Sequence, residues 1–188
     1  VPVVTEAMAG LNDIVNDSRR AAEIVRALQS LARQAPPRHA PLQIDEVIRQ
    51  VVALTATEIE QHQVLLYKAF NGPELMIKGD AVQLQQVILN LITNAVEAMS
   101  TVNDRPRRLD ISCEAVAEQF VVVCVQDNGA GLDEQHAGRV FDAFFTTKAK
   151  GMGMGLAICR SIIDAHGGTL RACNGRAGGA MFVFTLPV

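Results

Sequence analysis

Asn90 and Asn94 lie four residues apart in a largely apolar stretch, so in a helix both amides project from one face, with Glu97 one step further along it. An amide oxygen is a hard, neutral ligand. It suits Mg2+ that keeps several waters and takes its charge balance from phosphates. Two asparagines on a solvated helix face would look the same, so the pair needs company. Asp127-Asn128-Gly129-Ala130-Gly131 follows directly on the apolar run Phe120 to Val125. A carboxylate at the edge of a core is an acceptor that needs donors. Adenine offers its exocyclic amine where guanine presents a carbonyl oxygen, so one aspartate can select ATP over GTP by attraction and by repulsion. The competing reading is an ordinary Asp-Asn-Gly hairpin turn, and the segment that follows does not resemble a strand.

Gly151, Gly153 and Gly155, interleaved with Met152 and Met154 and followed by Leu156, open a helical pattern. Glycines let a backbone approach phosphate closely, and the unpaired N–H groups of a first helical turn attract anions. The spacing is not the dinucleotide fingerprint, and there is no Gly-Lys-Ser or Gly-Lys-Thr of a P-loop. Lys148 adds a point charge upstream, or is simply solvated. Phe141, Phe144 and Phe145 bring three of the seven phenylalanines into one segment before Thr146-Thr147-Lys148. Rings in a loop need a dock, which suits a lid that closes over ligand; a small core under the loop explains them equally well. His39, His62, His136 and His166 show neither triad nor metal spacing and read as structural or exposed, with His166 near a helix end where the dipole favours it.

These groups need elements to position them. Residues 4–33 carry apolar or small side chains at Leu11, Ile14, Ser18, Ala21, Val25, Leu28 and Ala32, the narrow seam of a coiled-coil or bundle helix, and Pro36-Pro37 ends it. An amphipathic helix packed on its own domain is the plainer alternative. Beyond that boundary the patterns predict a strand at 42–44, a helix capped by Asp45 and running to about 61, and strands at 64–70 and 75–78. A helix from Asp80 to Met99, a strand pair at 109–116 and 120–127, and a long aperiodic stretch at 128–152 follow. A helix from about Gly153 to Ala165 stops at Gly167-Gly168, and strands at 169–174 and 180–186 close the chain. Helices and strands mix without strict alternation, which predicts an α+β fold: a two-layer sandwich with helices on one face of a mixed sheet, preceded by one long helix.

The chain has 188 residues, 49% hydrophobic and 20% charged, which excludes disorder, and its formal charge of -3 provides no positive field for a nucleic-acid backbone. No nucleic-acid partner is expected. No apolar run spans a bilayer, and no signal segment opens the chain. Val1 in place of an initiator Met suggests a piece of a longer protein, with room for a membrane span upstream. Cys113, Cys124, Cys159 and Cys173 match neither a zinc nor a disulfide pattern; three lie in strand-like runs and all four read as buried, reduced thiols of a reducing cytoplasm.

In this order, the residues resemble the ATP-binding catalytic region of two-component sensor histidine kinases, in the superfamily shared with gyrase, heat-shock chaperone and mismatch-repair ATPases. Gln86-Val-Ile-Leu-Asn90-Leu-Ile-Thr-Asn94-Ala95 resembles the family's N box. Asp127 to Gly131 resembles its first glycine box, Phe141 to Lys148 its F box, Gly151 to Arg160 its second glycine box, and Gly178 to Phe182 its last. The resemblance covers Leu42 to Pro187, and the wording of the boxes is nearest to oxygen and nitrogen sensor kinases. It implies a Bergerat-type ATP-binding fold over 37–188, behind a partial dimerisation and phosphotransfer domain at 1–36.

The resemblance also implies roles. Asn94 is the expected Mg2+ ligand, Asn90 lines the phosphate side, and Gln86 lies near the attacking group, these three forming the catalytic set. Asp127 holds the adenine amine, and Gly153, Met154, Gly155 and Leu156 cradle phosphates. Gly129, Gly131, Phe141, Phe145, Lys148 and Gly151 complete the ATP contacts. ATP and Mg2+ are the cofactors implied. Two departures stand out. Ala180 occupies a place where many relatives have Thr or Ser, and no histidine lies in the His-Glu/Asp context of a phosphoacceptor. The expected function is transfer of the γ-phosphoryl of Mg-ATP to a histidine on a separate helix, for relay to a response-regulator aspartate, in a cytoplasmic protein that dimerises at full length. The rivals are an ATPase clamp of the same superfamily, which would usually carry Glu at the place of Asn90, and a nucleotide-switched dimer module without kinase activity.

Overall fold

The computed structural model describes residues 10, 39–71, 76–117, 119–133, 136–147, 152–175 and 178–188. The backbone divides into two compact units, Val1–Pro36 and Pro37–Val188. The seam helix expected over 4–33 lies, apart from Gly10, outside the described residues. All other described residues belong to the second unit.

The chain enters by β1 (Ala40–Gln43) and α1 (Ile44–Gln61), then β2 (Val64–Asn71) and β3 (Met76–Gly79). Next come α2 (Ala81–Ala98), β4 (Arg107–Val116) and β5 (Phe120–Asp127). A short 3-10 turn, Ala137–Arg139, interrupts the long loop before α3 (Gly155–Ala165), β6 (Thr169–Asn174) and β7 (Ala180–Pro187). The main sheet has the order β2-β4-β5-β7-β6; β2 and β4 run parallel, and every other pair is antiparallel. β1 and β3 form a separate two-stranded ribbon. This is the mixed sheet with helices on one face that the patterning predicts, since α1 packs on β2, α2 on β5, and α3 on β6 and β7. Among the described residues no helix is long and apolar enough to cross a membrane.

Strand parity decides what the sheet buries. Val121, Val123 and Val125 point into the core beside Leu186, Phe184 and Phe182, their register partners on β7. Asp127 has the same parity and is carried inward with them. The even positions, Val122, Cys124 and Gln126, are half-buried on the other face. The same parity corrects the expectation for the thiols. Cys113 and Cys159 are buried, but Cys124 is half-buried and Cys173 exposed, because both belong to the outer face of the sheet. Burial pushes the Cys113 thiol up to about 12.

α2 begins where its sequence says it should: Asp80 Oδ1 accepts from the N–H groups of Val82 and Gln83 at 3.0 and 3.2 Å. Leu84, Val87, Ile88, Leu91, Ile92, Ala95 and Val96 form its buried face, and each large aliphatic side chain there contributes about 1.5–3 kcal/mol. α1 differs from expectation. Asp45 lies inside the first turn instead of capping it, paired with Arg49 at 3.1 Å, and the cap position is Gln43 without a side-chain bond. The ribbon pairs Leu42 with Ile77 and Gln43 with Met76, and the helix starts directly after it at Ile44, two residues earlier than a cap at Asp45 would allow. His166 is structural, but not as a dipole-compensating cation: its Nδ1–H donates to the Ile162 carbonyl (2.7 Å) and its Nε2 accepts from the Asp80 N–H (3.0 Å), tying the end of α3 to the start of α2.

Candidate nucleotide site

Asp127 ends β5 and is 3% exposed. Its Oδ1 accepts from two backbone donors, the Gly129 N–H at 2.7 Å and the Ala180 N–H at 3.2 Å. Oδ2 accepts from no other described residue. The one side-chain oxygen or nitrogen among the described residues that is buried without a partner is Asp45 Oδ1, so Asp127 Oδ2 is not sealed into the core. One carboxylate oxygen is thus fixed while the other remains open as an acceptor. Ala180 brings no hydroxyl to this carboxylate, and position 180 reaches it through its main-chain N–H, which Ala supplies as Thr or Ser would. That donor is invisible in the sequence, since every residue but proline has an N–H.

The loop that follows Asp127 is held from several sides. Asn128 Oδ1 accepts from the Arg108 N–H and its Nδ2 donates to the Pro106 carbonyl, both at 2.8 Å. Arg105 donates to the carbonyl of Asn128 at 2.9 Å. Asn174 grips both main-chain groups of Leu132, accepting from its N–H at 2.6 Å and donating to its carbonyl at 2.9 Å. Glycine is required where this loop touches its neighbours. A Cβ on Gly129 would sit 2.7 Å from the Ala98 carbonyl oxygen, so Gly129 is pressed against the last turn of α2. Gly131 has a φ of +79°, and a Cβ there would lie 2.9 Å from Asn174 Oδ1.

Gln86, Asn90 and Asn94 fall on one face of α2, each half-buried and one turn apart. Asn90 reaches α3: its Nδ2 donates to the Gly155 carbonyl at 3.4 Å and lies 3.6 Å from Cys159 Sγ. The helix begins at Gly155, two residues later than the pattern predicts, because Gly153 has a φ of +67° and breaks the turn. Gly153 packs directly against the backbone of Phe144 and Phe145, and its carbonyl accepts from the Phe144 N–H at 3.0 Å. Met154 occupies the cap position without a side-chain bond, and no acidic residue lies in the first turn. α2 has an aspartate cap and α1 two acids in its first turn. Of the three helices described, α3 is therefore the one whose N-terminus is prepared for an external anion.

Leu156 and Phe141 pack on the core, with Arg160 5.6 Å above the Phe141 ring. Phe145 lies against Arg139 and His136 at 4.8 and 5.5 Å, while Phe144 is exposed. Lys148 and Gly151 lie outside the described residues. The structure therefore brings together Asn90 and Gly155, Gly153 and the phenylalanine segment, and Asp127, Gly129 and the end of α2. About 12 Å of helix runs from Asn90 to the Ala98 turn that meets Gly129. A ligand that touches both ends of this face is elongated, with hydrogen-bond donors at the Asp127 end and negative charge at the α3 end.

Burial pushes the Asp127 carboxyl above the ordinary carboxylate range, against the opposing pull of the Gly129 and Ala180 N–H groups. The ionised form therefore carries a cost to folding above the raised pKa, which disappears as falling pH neutralises it. Binding has the opposite sign, because a proton on Asp127 removes an acceptor. If Asp127 is the adenine acceptor that the resemblance implies, the advantage in ATP affinity of the unaltered chain over Asp127→Ala should shrink on acidification while the pH is still above about 4, the usual aspartate value. Calorimetric titrations of both proteins across that range check it; an advantage constant down to that value contradicts it.

Residues 79–188 match the family model described as histidine kinase-, DNA gyrase B- and HSP90-like ATPase. The sensor histidine kinase TmoS of Ectopseudomonas mendocina is 37% identical over 188 residues, which is 100% of this chain and 19% of TmoS. The chain spans from about a fifth to a little over a third of the curated relatives it matches. The solved catalytic domain of histidine kinase ThkA superposes with a TM-score of 0.71 at 31% identity, covering 79% of this chain and 95% of that one. Histidine kinase ThkA in complex with response regulator protein TrrA gives a TM-score of 0.78 at 28% identity, over 94% of this chain and 49% of that one. A nucleotide-binding fold matched along nearly the full length of a kinase catalytic domain leaves one conclusion: the chain belongs to the histidine kinase-, DNA gyrase B- and HSP90-like ATPase family, as the catalytic region of a sensor histidine kinase.

Proposed function

We propose that this region binds ATP along the exposed face of α2, adenine at Asp127 and phosphates between Asn90, Asn94 and the first turn of α3. In the full protein it passes the γ-phosphoryl to a histidine on a separate helix, for relay to a response-regulator aspartate. The observation that carries this reading is the half-committed carboxylate of Asp127, one oxygen fixed by two N–H groups and the other open, at the opposite end of the α2 face from an uncapped helix N-terminus. The resemblance of the chain to ThkA, which has been solved with a response regulator, supports the relay. Residues 1–36, read as a partial phosphotransfer domain, support dimerisation of the whole protein. A cytoplasmic setting follows from ATP as substrate.

The residues fit Mg2+ that arrives with the nucleotide. No group of three or more His, Cys, Asp or Glu able to hold a metal ion exists among the described residues, and the amides of Asn90 and Asn94 are neutral, so most of the balancing charge must come from phosphate. With Asn94 as its protein ligand, the ion would neutralise charge on the phosphates. The chain's own share of catalysis is positioning: Asp127 fixes the base, the α3 N–H groups and Gly153 fix the phosphates, and Gln86 lies towards the incoming acceptor.

Asn94→Ala should abolish the dependence of ATP affinity on Mg2+, measured by calorimetry with the ion and with EDTA; persistence of that dependence rejects Asn94 as ligand. Phosphotransfer is tested by adding a separately made two-helix hairpin carrying an acceptor histidine. Acid-labile, base-stable phosphate on the hairpin is the expected result. Steady ATP hydrolysis with no labelled hairpin would point instead to an ATPase clamp, and binding without either to a nucleotide switch.

A further inference from the structure

Asn90 and Cys159, 69 residues apart, meet where α2 crosses the first turns of α3. A backbone carbonyl can only accept, so the half of the Asn90 amide turned to Gly155 must be the amino group, and Oδ1 is turned away from α3. Oδ1 accepts from no described residue and is not among the buried atoms lacking a partner. The Gly155 contact, at 3.4 Å, is too long to fix the amide by itself. The second neighbour of the amino group is the Cys159 sulfur at 3.6 Å, which in turn lies 3.9 Å from the Val87 carbonyl. Cys159 is fully buried, and that burial pushes its thiol up to about 12, so at neutral pH it is an S–H able to donate to Val87 and accept from Asn90. No step of the phosphoryl transfer calls on this thiol.

We propose that Cys159 is a positioning residue for Asn90: its sulfur, with the Gly155 carbonyl, locks the amide so that the oxygen faces the phosphate side of the cleft. The proposal rests on the nucleotide reading above. An amide oxygen facing phosphate oxygens is tolerable only with a cation or its coordinated water between them. Valine at 159 would fill the same space without an acceptor. The amide could then turn over and present a donor to the cation. Serine would keep an acceptor in place.

In the full 188-residue chain, Cys159→Val should cut the gain in ATP affinity that Mg2+ brings by about tenfold. The gain is the ratio of calorimetric Kd values with EDTA and with Mg2+. Affinity in EDTA should not fall, because a freed amide can turn its amino group to the phosphates, and Cys159→Ser should keep the ratio of the unaltered chain. In an Asn90→Ala background, Cys159→Val should have no further effect on the ratio. Cys159→Ala takes the place of the valine variant if that protein melts below the assay temperature. Equal weakening in both conditions would mean packing alone and overturn the proposal, as would an unchanged ratio or an effect that survives in Asn90→Ala. An unaltered chain that binds no ATP would overturn the nucleotide reading itself, a failure visible before any variant is made.

Discussion

Asp127→Ala weakens ATP binding by about 1.5–3 kcal/mol, the range for hydrogen bonds to charged groups, or roughly ten- to a hundredfold in Kd. The expectation follows from the arrangement of the carboxylate. Gly129 and Ala180 both spend their N–H groups on Oδ1, so the loss of the side chain also leaves two backbone donors without their acceptor. Asp127→Asn separates the two effects. Its Oδ1 can still accept from both N–H groups, so the loop should keep its form, but an amino group replaces Oδ2 and meets the adenine amine donor to donor. The asparagine variant should therefore be folded, no less stable than the unaltered chain at neutral pH, and nearly as weak for ATP as the alanine. Its preference for ATP over GTP should narrow, because the new donor suits a carbonyl. Calorimetry with both nucleotides measures this; an alanine variant with unchanged affinity removes Asp127 from the base site.

Gly179→Ala carries the larger stability effect. Gly179 has a φ of +75°, and a Cβ on it would overlap the Asp127 carbonyl oxygen and lie 2.7 Å from the Asn128 Cα. The left-handed backbone costs about 1–2 kcal/mol for an L side chain, and the collision with backbone adds about 1–3 kcal/mol. Gly178 is the natural control. Its φ is +88°, but a Cβ there meets nothing within 4 Å, so Gly178→Ala should pay the first cost only. Denaturant unfolding of the pair should show the difference, and equal losses would mean that the approach of Gly179 to the Asp127 strand end is not tight. Gly179→Ala should also weaken ATP binding, because it displaces the strand end that carries the carboxylate.

The parts of this fold written in local patterns were legible in the sequence. The apolar run Phe120 to Val125 predicts a strand that ends in a carboxylate at the edge of the core, but being unbroken it does not say which face Asp127 joins; the fold decides that. The apolar spacing from Asp80 to Met99 and the four-residue spacing of Asn90 and Asn94 predict where α2 starts, to within a residue, and which side its amides share. The start of α3 was less legible, because the glycine run reads as helix from Gly153 when the backbone there is left-handed. Contacts made through main-chain atoms, or between residues far apart, left no mark. The Ala180 N–H on Asp127, the press of Gly129 against Ala98 and the approach of Cys159 to Asn90 are products of the β5-β7 pairing, of the packing of α2 on β5 and of the α2–α3 crossing. Surface or core placement of thiols failed for a similar reason. Cys173 lies in a strand-like run, but exposure depends on which face of β6 is covered, and that is a property of the assembled sheet.

The structural result that bears most directly on the site is a crystal structure of the chain with a non-hydrolysable ATP analogue and Mg2+. The adenine amine should lie within hydrogen-bond distance of Asp127 Oδ2, with the phosphates between the Asn90–Asn94 face of α2 and the N–H groups of Gly155 and Leu156. A nucleotide bound elsewhere, or one whose base lies away from Asp127 while the phosphates occupy the α3 end, would contradict it.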